Sequence, residues 1–310
     1  MKRIVLCLAL ILCAESDAAW LKGNTHAHTL ESDGDSTPEE VVRWYREHGY
    51  DFLVITDHDK VTIADGGGMV MIPGEEVTDR LPKKPLHVNA IGIRRAVPPQ
   101  KGTTPVEVLQ RNIDAVRAAG GIAQINHPNF GWAFGADELL KLSGATLLEI
   151  ASGHPYVNMD GPPSVEQMWD ALLTAGKTIY AVAVDDSHHL KRPWDTDIAP
   201  PGKAWIVVRA EQREPKAILA AIASGDFYAS TGVELTDYSA TPAAIVVTIR
   251  EKNLARYRTQ FIGAGGRLLA ESRENPARYA FRGNETYVRA KVIDSNGKCA
   301  WMQAVTVKKK

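Results

Sequence analysis

The chain has 310 residues, 45% of them hydrophobic and 24% charged, with a formal net charge of −1. This composition can bury a sizeable core in one or two domains and excludes an intrinsically disordered chain. The near-neutral balance argues against a long nucleic acid as partner, so any preference for phosphate has to come from a local site.

At the N-terminus, Lys2 and Arg3 precede an apolar run from Ile4 to Ala14, and small residues suited to cleavage follow near Ala18 or Ala19. That is the pattern of a signal peptide over residues 1–19, and the run is about half of the ~20 residues that a spanning helix needs. The expectation is a periplasmic or secreted protein with no stable membrane insertion. Cys7 and Cys13 fall in the segment that would be removed, which leaves Cys299 alone and no intrachain disulfide framework.

From Trp20 to about residue 235, short apolar runs alternate with capped amphipathic stretches. The expected strands are "FLVIT", "MVMIP", "LHVNAIG", "IAQIN", "TLLEI", "TIYAVAV" and "AWIVVR". Three helix starts stand between them at capping-box spacing: Thr37 to Glu40, Thr104 to Glu107 and Ser164 to Gln167. Gly49, Gly120 and Gly176 sit where those helices should stop. Strands alternating with helices predict an α/β fold with a largely parallel sheet, plausibly a barrel over residues 20–238. After about residue 240 the helical period disappears. Runs such as "AAIVVTIR" and "TYVRAKVID" alternate with turns, which predicts a small antiparallel β domain, sandwich-like, over residues 239–310.

Nine histidines occur, and all but His48 fall in loop-like positions beside predicted strand ends. His26 and His28, two apart, share a face if the first strand is extended. His58 follows "FLVIT", Glu75 and Glu76 follow "MVMIP", His127 follows "IAQIN", His154 follows "TLLEI", and "DDSHH" (185–189) follows "TIYAVAV". In a β/α barrel such strand ends converge at one mouth. His87 instead begins its strand, and an antiparallel hairpin with "EEVTD" would return it to the same mouth at the cost of a distorted barrel. His48, near the end of the first predicted helix, reads as a helix-dipole partner.

Neutral imidazoles mixed with carboxylates and no thiolate suit zinc, manganese or iron, and the ligands are too many for one ion. Two or three divalent ions are implied. Such a cluster lowers the pKa of a bound water to about 7 and clamps attacking and leaving oxygens, which is the logic of hydrolysis by a metal-bound hydroxide. Three carboxylates against two or three dications leave positive charge for a phosphate or a developing oxyanion. No Ser-His-Asp arrangement or P-loop offers a competing chemistry.

"THAHTLESDG", "VITDHD", "IPGEEV", "LHVNAIG", "INHP" and "DDSHH" resemble, in order, the motifs of the PHP (polymerase and histidinol phosphatase) superfamily, over about residues 20–235. The resemblance implies a distorted (β/α)7-type barrel, usually with three metals. "INHPNFGW" and "KRPW" look most like its CehA/McbA branch. Carried over by position, the resemblance makes His26, His28, Asp33, His58, Glu76, His87, His127, Asp186 and His188 metal ligands. Asp57 would turn an imidazole from behind. His154 would contact substrate or act as a general acid, and Arg192, with Lys191 and Trp194, would receive an anionic or aromatic substrate. The expected partner is a small-molecule ester or phosphoester, including nucleotides or oligonucleotide ends. Carboxyl or carbamate ester hydrolysis is the alternative chemistry, and an exported binding protein with a structural metal site the alternative class.

Overall fold

The computed structural model describes residues 18–157, 163–192, 195, 197–252 and 254–307. The expected signal peptide, apart from its last two residues, lies outside the described residues, as does Trp194. Strand β1 (Ala19–Asn24) leads to α1 (Pro38–Glu47), β2 (Phe52–Ile55) and a long hairpin of β3 (Val70–Leu81) and β4 (Lys84–Ile91). Next come α2 (Pro105–Ala118), β5 (Ile122–Ile125), the single turn α3 (Ala136–Leu139), β6 (Leu147–Ser152), α4 (Val165–Thr174) and β7 (Tyr180–Val184). Then β8 (Trp205–Ala210), α5 (Pro215–Ser224) and β9 (Phe227–Ser230) complete the mixed α/β part.

Local chemistry explains the helix ends. Thr37, Thr104 and Ser164 each accept a hydrogen bond from the backbone N–H three residues on, so three orphan donors at helix starts are satisfied. The reciprocal half of the box forms at Thr37 and Ser164. At α2 the Glu107 carboxylate turns instead to the Thr103 N–H and hydroxyl. Gly49, Gly120 and Gly176 end these helices at φ of 75°, 82° and 80°, a region that costs other residues energy. Helix α5, which no capping signal announced, begins after Glu214 with no side-chain cap and relies on Pro215 in its first turn.

Strands β1, β2 and β3 pair in parallel, the β3–β4 and β4–β5 pairs are antiparallel, and β5, β6 and β7 are again parallel. Just beyond the last strand, Ala27 bridges Ser187 in parallel, with the Asp186 N–H donating to the His26 carbonyl. The two ends of this run of strands therefore meet where the chain leaves β1 and β7. The rest of β1 pairs antiparallel with β8. "MVMIP" and "EEVTD" form one strand, β3, rather than two, and its register sets Thr78 opposite His87. That hairpin is what carries His87 to the common end.

The C-terminal strands are β10 (Leu235–Ala240), β11 (Ala244–Ile249), β12 (Tyr257–Gly263), β13 (Arg267–Ser272), β14 (Ala277–Ala280), β15 (Tyr287–Asp294), β16 (Cys299–Met302) and β17 (Val305–Thr306). Strands β10, β11 and β14 form a small antiparallel three-stranded sheet. The order β13-β12-β15-β16 continues into β9, where Trp301 pairs with Ala229, so these strands extend the main sheet. Tyr238, Ile245 and Val247 of the small sheet are buried in one cluster with Phe261, Val288, Ala290 and Val292 of the large one. The cluster also takes in Val41 and Tyr45 of α1 and Leu53 and Ile55 of β2. Burying each such aliphatic side chain contributes about 1.5–3 kcal/mol. Among the described residues no helix is long and apolar enough to cross a membrane.

Candidate metal centre

Alternation along each strand decides which side chains reach the common end. On β3, Glu76 faces the interior and is 1% exposed, while Glu75 faces the other way. Glu76 Oε2 lies 3.3 Å from His26 Nε2, 3.3 Å from His28 Nε2 and 3.2 Å from His58 Nδ1. Its Oε1 lies 2.9 Å from His87 Nδ1 and 3.4 Å from His127 Nε2. Asp186 Oδ1 stands 3.2 Å from His26 Nε2 and 3.3 Å from His28 Nε2. Asp33, half exposed at the rim, has Oδ1 at 3.3 Å from His188 Nε2 and Oδ2 at 3.3 Å from His58 Nε2.

These contacts resolve into three overlapping groups that could each hold an ion: His28, Asp33, His58 and His188; His26, Glu76 and His127; and His26, His28 and Asp186. His87 joins them through Glu76. All nine residues that the resemblance offered as ligands are thus brought together.

The fit to metal can be tested on the nitrogens themselves. His26 Nε2, His28 Nε2 and His87 Nδ1 are buried and hydrogen-bond to nothing, although carboxylate oxygens stand within 3.3 Å of each. Their lone pairs aim at shared space rather than at a partner, an arrangement that costs about 1–3 kcal/mol per group if nothing fills it. The opposite nitrogens are held. His26 Nδ1 lies 3.1 Å from Glu149 Oε2, and His188 Nδ1 lies 2.9 Å from the Asp186 carbonyl. His58 Nδ1 meets Thr78 Oγ1 at 2.5 Å, and Thr78 in turn donates to the Glu76 carbonyl. A ligand imidazole is oriented in this way, by an N–H fixed from behind. The donor set is imidazole and carboxylate alone, which suits zinc, manganese or iron.

Glu149 is a site residue that the sequence reading missed. It is a lone carboxylate inside the apolar run "TLLEI", and that isolation was the available signal. Beneath Glu76 a buried amide chain fixes the carboxylate: Asn126 Nδ2 donates to Glu76 Oε1 and is itself followed by Gln124 and Thr25. His127 and Asp186 hold φ of 23° and 48°, values that side chains other than glycine adopt at a cost. Both lie at strand ends where the backbone must bend to present the side chain inward, and strain of this kind gathers at functional sites.

The electrostatics follow from burial and proximity. Burial alone would lower His26, but Asp186 and Glu76 outweigh it and hold the ring well above its ordinary value. Burial would raise Glu76, yet His87 and His26 keep it well below the carboxylate range. His188 is likewise raised against its burial, to about 9, by Asp33 and Asp186. An ion entering the centre therefore competes with protons for the same nitrogens.

Other candidates take different places. Asp57 is fully buried and touches no imidazole among the described hydrogen bonds, contrary to the role expected for it. It accepts from the Thr29 N–H and hydroxyl and from Ser32 and Thr62, and so fixes the loop that carries His28 and Asp33. Asp185 accepts from Tyr45 and from the N–H groups of Gly202, Lys203 and Ala204, and Glu75 accepts from the Val97 N–H. His154 lies 5.2 Å from the His188 ring, and burial together with the neighbouring imidazoles pushes it down to about 4. A neutral ring at physiological pH suits a hydrogen-bond donor or proton acceptor better than the imidazolium acid expected from the sequence. Arg192 is exposed and pairs with Asp195 at 3.4 Å. His48 stacks on Trp44 with Nδ1 at 2.7 Å from its carbonyl, a structural role.

No family model matches the chain, and no curated protein matches it by sequence. Among solved structures it is similar to a two-domain protein from Bacteroides vulgatus containing a predicted PHP-like metal-dependent phosphoesterase. The identity is 15% over 93% of this chain and 96% of that one, with a TM-score of 0.53. It also matches an amidohydrolase from Chromobacterium violaceum with bound sulfate and no metal, at 18% identity over 58% of this chain and 92% of that one, TM-score 0.40. The first match shows a shared fold: a mixed α/β architecture resembling a two-domain PHP-like protein. On that fold this chain places several buried histidine and carboxylate groups able to bind metal.

Proposed function

We propose that this chain is an exported metal-dependent hydrolase of small phosphoesters, including nucleotides, built on a distorted seven-stranded PHP barrel of the CehA/McbA kind. The observation that carries the reading is Glu76, a fully buried carboxylate within 3.4 Å of five imidazoles. The six motifs in order and the shared fold of a PHP-like protein support it. The closing of the strand run at Ala27 and Ser187 supports the barrel, and the shared core of the two C-terminal sheets supports a sandwich-like second unit.

His28, Asp33, His58 and His188 would hold one ion; Glu76, Asp186 and the remaining histidines would hold one or two more. Ions held there supply Lewis acidity toward the ester's oxygens and a nucleophile from water near neutral pH. The chain's own residues do the rest. Glu149, Thr78 and the Asp186 carbonyl fix the tautomers of His26, His58 and His188, so each presents Nε2 to the centre. Asn126 holds Glu76 in place, and Asp57 holds the loop of Asp33. His154, neutral beside His188, stands where it can accept or donate one hydrogen bond to a bound ester.

The test is elemental analysis of the mature protein purified without chelator, with His58→Ala and Glu76→Ala beside it and turnover of aryl phosphates and aryl carbamates on the same samples. About two or three ions per chain are expected, falling in both variants together with aryl phosphate turnover. Turnover of carbamates alone would move the assignment to carbamate ester hydrolysis. Substoichiometric metal after reconstitution, with no turnover, would leave a binding protein.

A further inference from the structure

A cleft of about 660 Å3 is lined by residues that flank His127 and His154 in sequence, and its walls come from both halves of the chain. On the barrel side stand Asn129, two residues past His127, and Ser152, Gly153 and Pro155 around His154. The other side is the turn between β15 and β16, with Asn296 and Lys298, and Trp301 beyond it.

The charges in this cleft do not cancel. Its carboxylates are already engaged, Glu166 by Arg289 and Lys291 and Asp195 by Arg192. Lys203 and Lys298 line it as well, both exposed, and neither makes an ion pair among the described residues.

Both lysine stems rest on glycine. A Cβ added at Gly153 would stand 2.8 Å from Lys203 Cβ and equally close to the Asp185 carbonyl. One added at Gly232 would stand 2.9 Å from Lys298 Cγ. The main chain below each is also fixed: the Lys203 N–H donates to Asp185 at 2.6 Å and the Lys298 N–H to Asp294 at 2.8 Å. Two cations without an ion pair among the described residues are thus seated at one cleft, and the main chain of one, Lys203, is tied to Asp185, the neighbour of Asp186 in the candidate centre.

We propose that the C-terminal strands complete the substrate cleft and that Lys203 and Lys298 receive an anionic group, a second phosphate or a carboxylate, carried by the substrate beyond its scissile ester. The proposal rests on the hydrolase reading above. A monoester without that group binds through the metal centre alone. A substrate with it gains an ion pair at each lysine, and the C-terminal unit thereby selects substrate.

The experiment is calorimetric titration of the full-length, metal-loaded protein with methylphosphonate and with straight-chain α,ω-diphosphonates of increasing length, unreactive probes carrying one or two anionic ends. An α,ω-phosphonocarboxylate series separates phosphate from carboxylate preference. The wild type should prefer at least one doubly anionic probe, and Lys203→Ala and Lys298→Ala should each remove about fivefold of that preference without changing methylphosphonate affinity. Lys298→Glu should remove more. Wild type without a preference, or a preference that survives in the double alanine variant, overturns the proposal. In that event methylphosphonate binding abolished by Glu76→Ala leaves the hydrolase reading standing. Binding of neither class of probe overturns both.

Discussion

Replacing Asp170 by Asn should loosen the join between the two halves of this protein. Arg289 of β15 is 1% exposed and donates from Nε to Asp170 Oδ1 and from Nη2 to Oδ2, each at 2.7 Å. Nη2 also reaches Glu166 at 2.9 Å, the Tyr287 hydroxyl donates to Asp170 Oδ1 at 2.8 Å, and the guanidinium lies 4.9 Å from the Trp169 ring. Asparagine keeps the shape and removes the charge, leaving a buried guanidinium short of its main counterion. Breaking a buried pair in this way costs about 3–5 kcal/mol. Glu166 remains as a second partner, so the lower end, about 3 kcal/mol, is expected. For a chain of 310 residues that is a fall in Tm of about 5 °C. Urea titration followed by circular dichroism at fixed metal concentration reads the loss, and Arg289→Met combined with Asp170→Asn should recover part of it, because apolar replacement of a whole buried pair is often close to neutral. A loss under about 1 kcal/mol for the single change, with no recovery in the double, would refute the reasoning.

Three further outcomes follow from the same contacts. Glu166 is pushed up by burial but held below its ordinary 4.5 by Arg289 and Lys291, so its stabilisation is present above that value and is lost as pH falls beneath it; Glu166→Gln should flatten the acid side of a Tm-against-pH curve. Glu149→Gln removes the charge behind His26 and should weaken metal affinity by about tenfold or more in chelator competition, with the far-ultraviolet spectrum unchanged. Truncation after residue 238 strips β16 from β9 and removes Gln303, whose amide bonds both the N–H and the carbonyl of Ala181. The fragment should aggregate on size exclusion, as an uncovered strand edge does, and a monomeric, folded fragment would show that the barrel stands alone.

Much of the candidate centre was legible because its candidate ligands sit at strand ends, where motif and position coincide. His26 and His28 share a face by the two-residue period, and the doubled "EE", "DD" and "HH" resolve by the same alternation: Glu76, Asp186 and His188 enter the site while Glu75, Asp185 and His189 turn to backbone partners. Helix α5 escaped because nothing at Glu214 caps it, and Asp57 was misjudged because its partners, Thr29 and Ser32, are brought to it only by the fold.

The sequence by itself determined the helix boundaries at Thr37, Thr104 and Ser164 and the donor chemistry of the candidate site, imidazole and carboxylate, because capping and donor type are local properties of a few adjacent residues. Only the tertiary structure decided that Glu149 stands behind His26, that β16 pairs with β9, and that Lys203 and Lys298 line one cleft. Those facts depend on contacts between residues tens to more than a hundred positions apart. They are set by sheet register and by the packing of one shared core, which no short window of sequence contains.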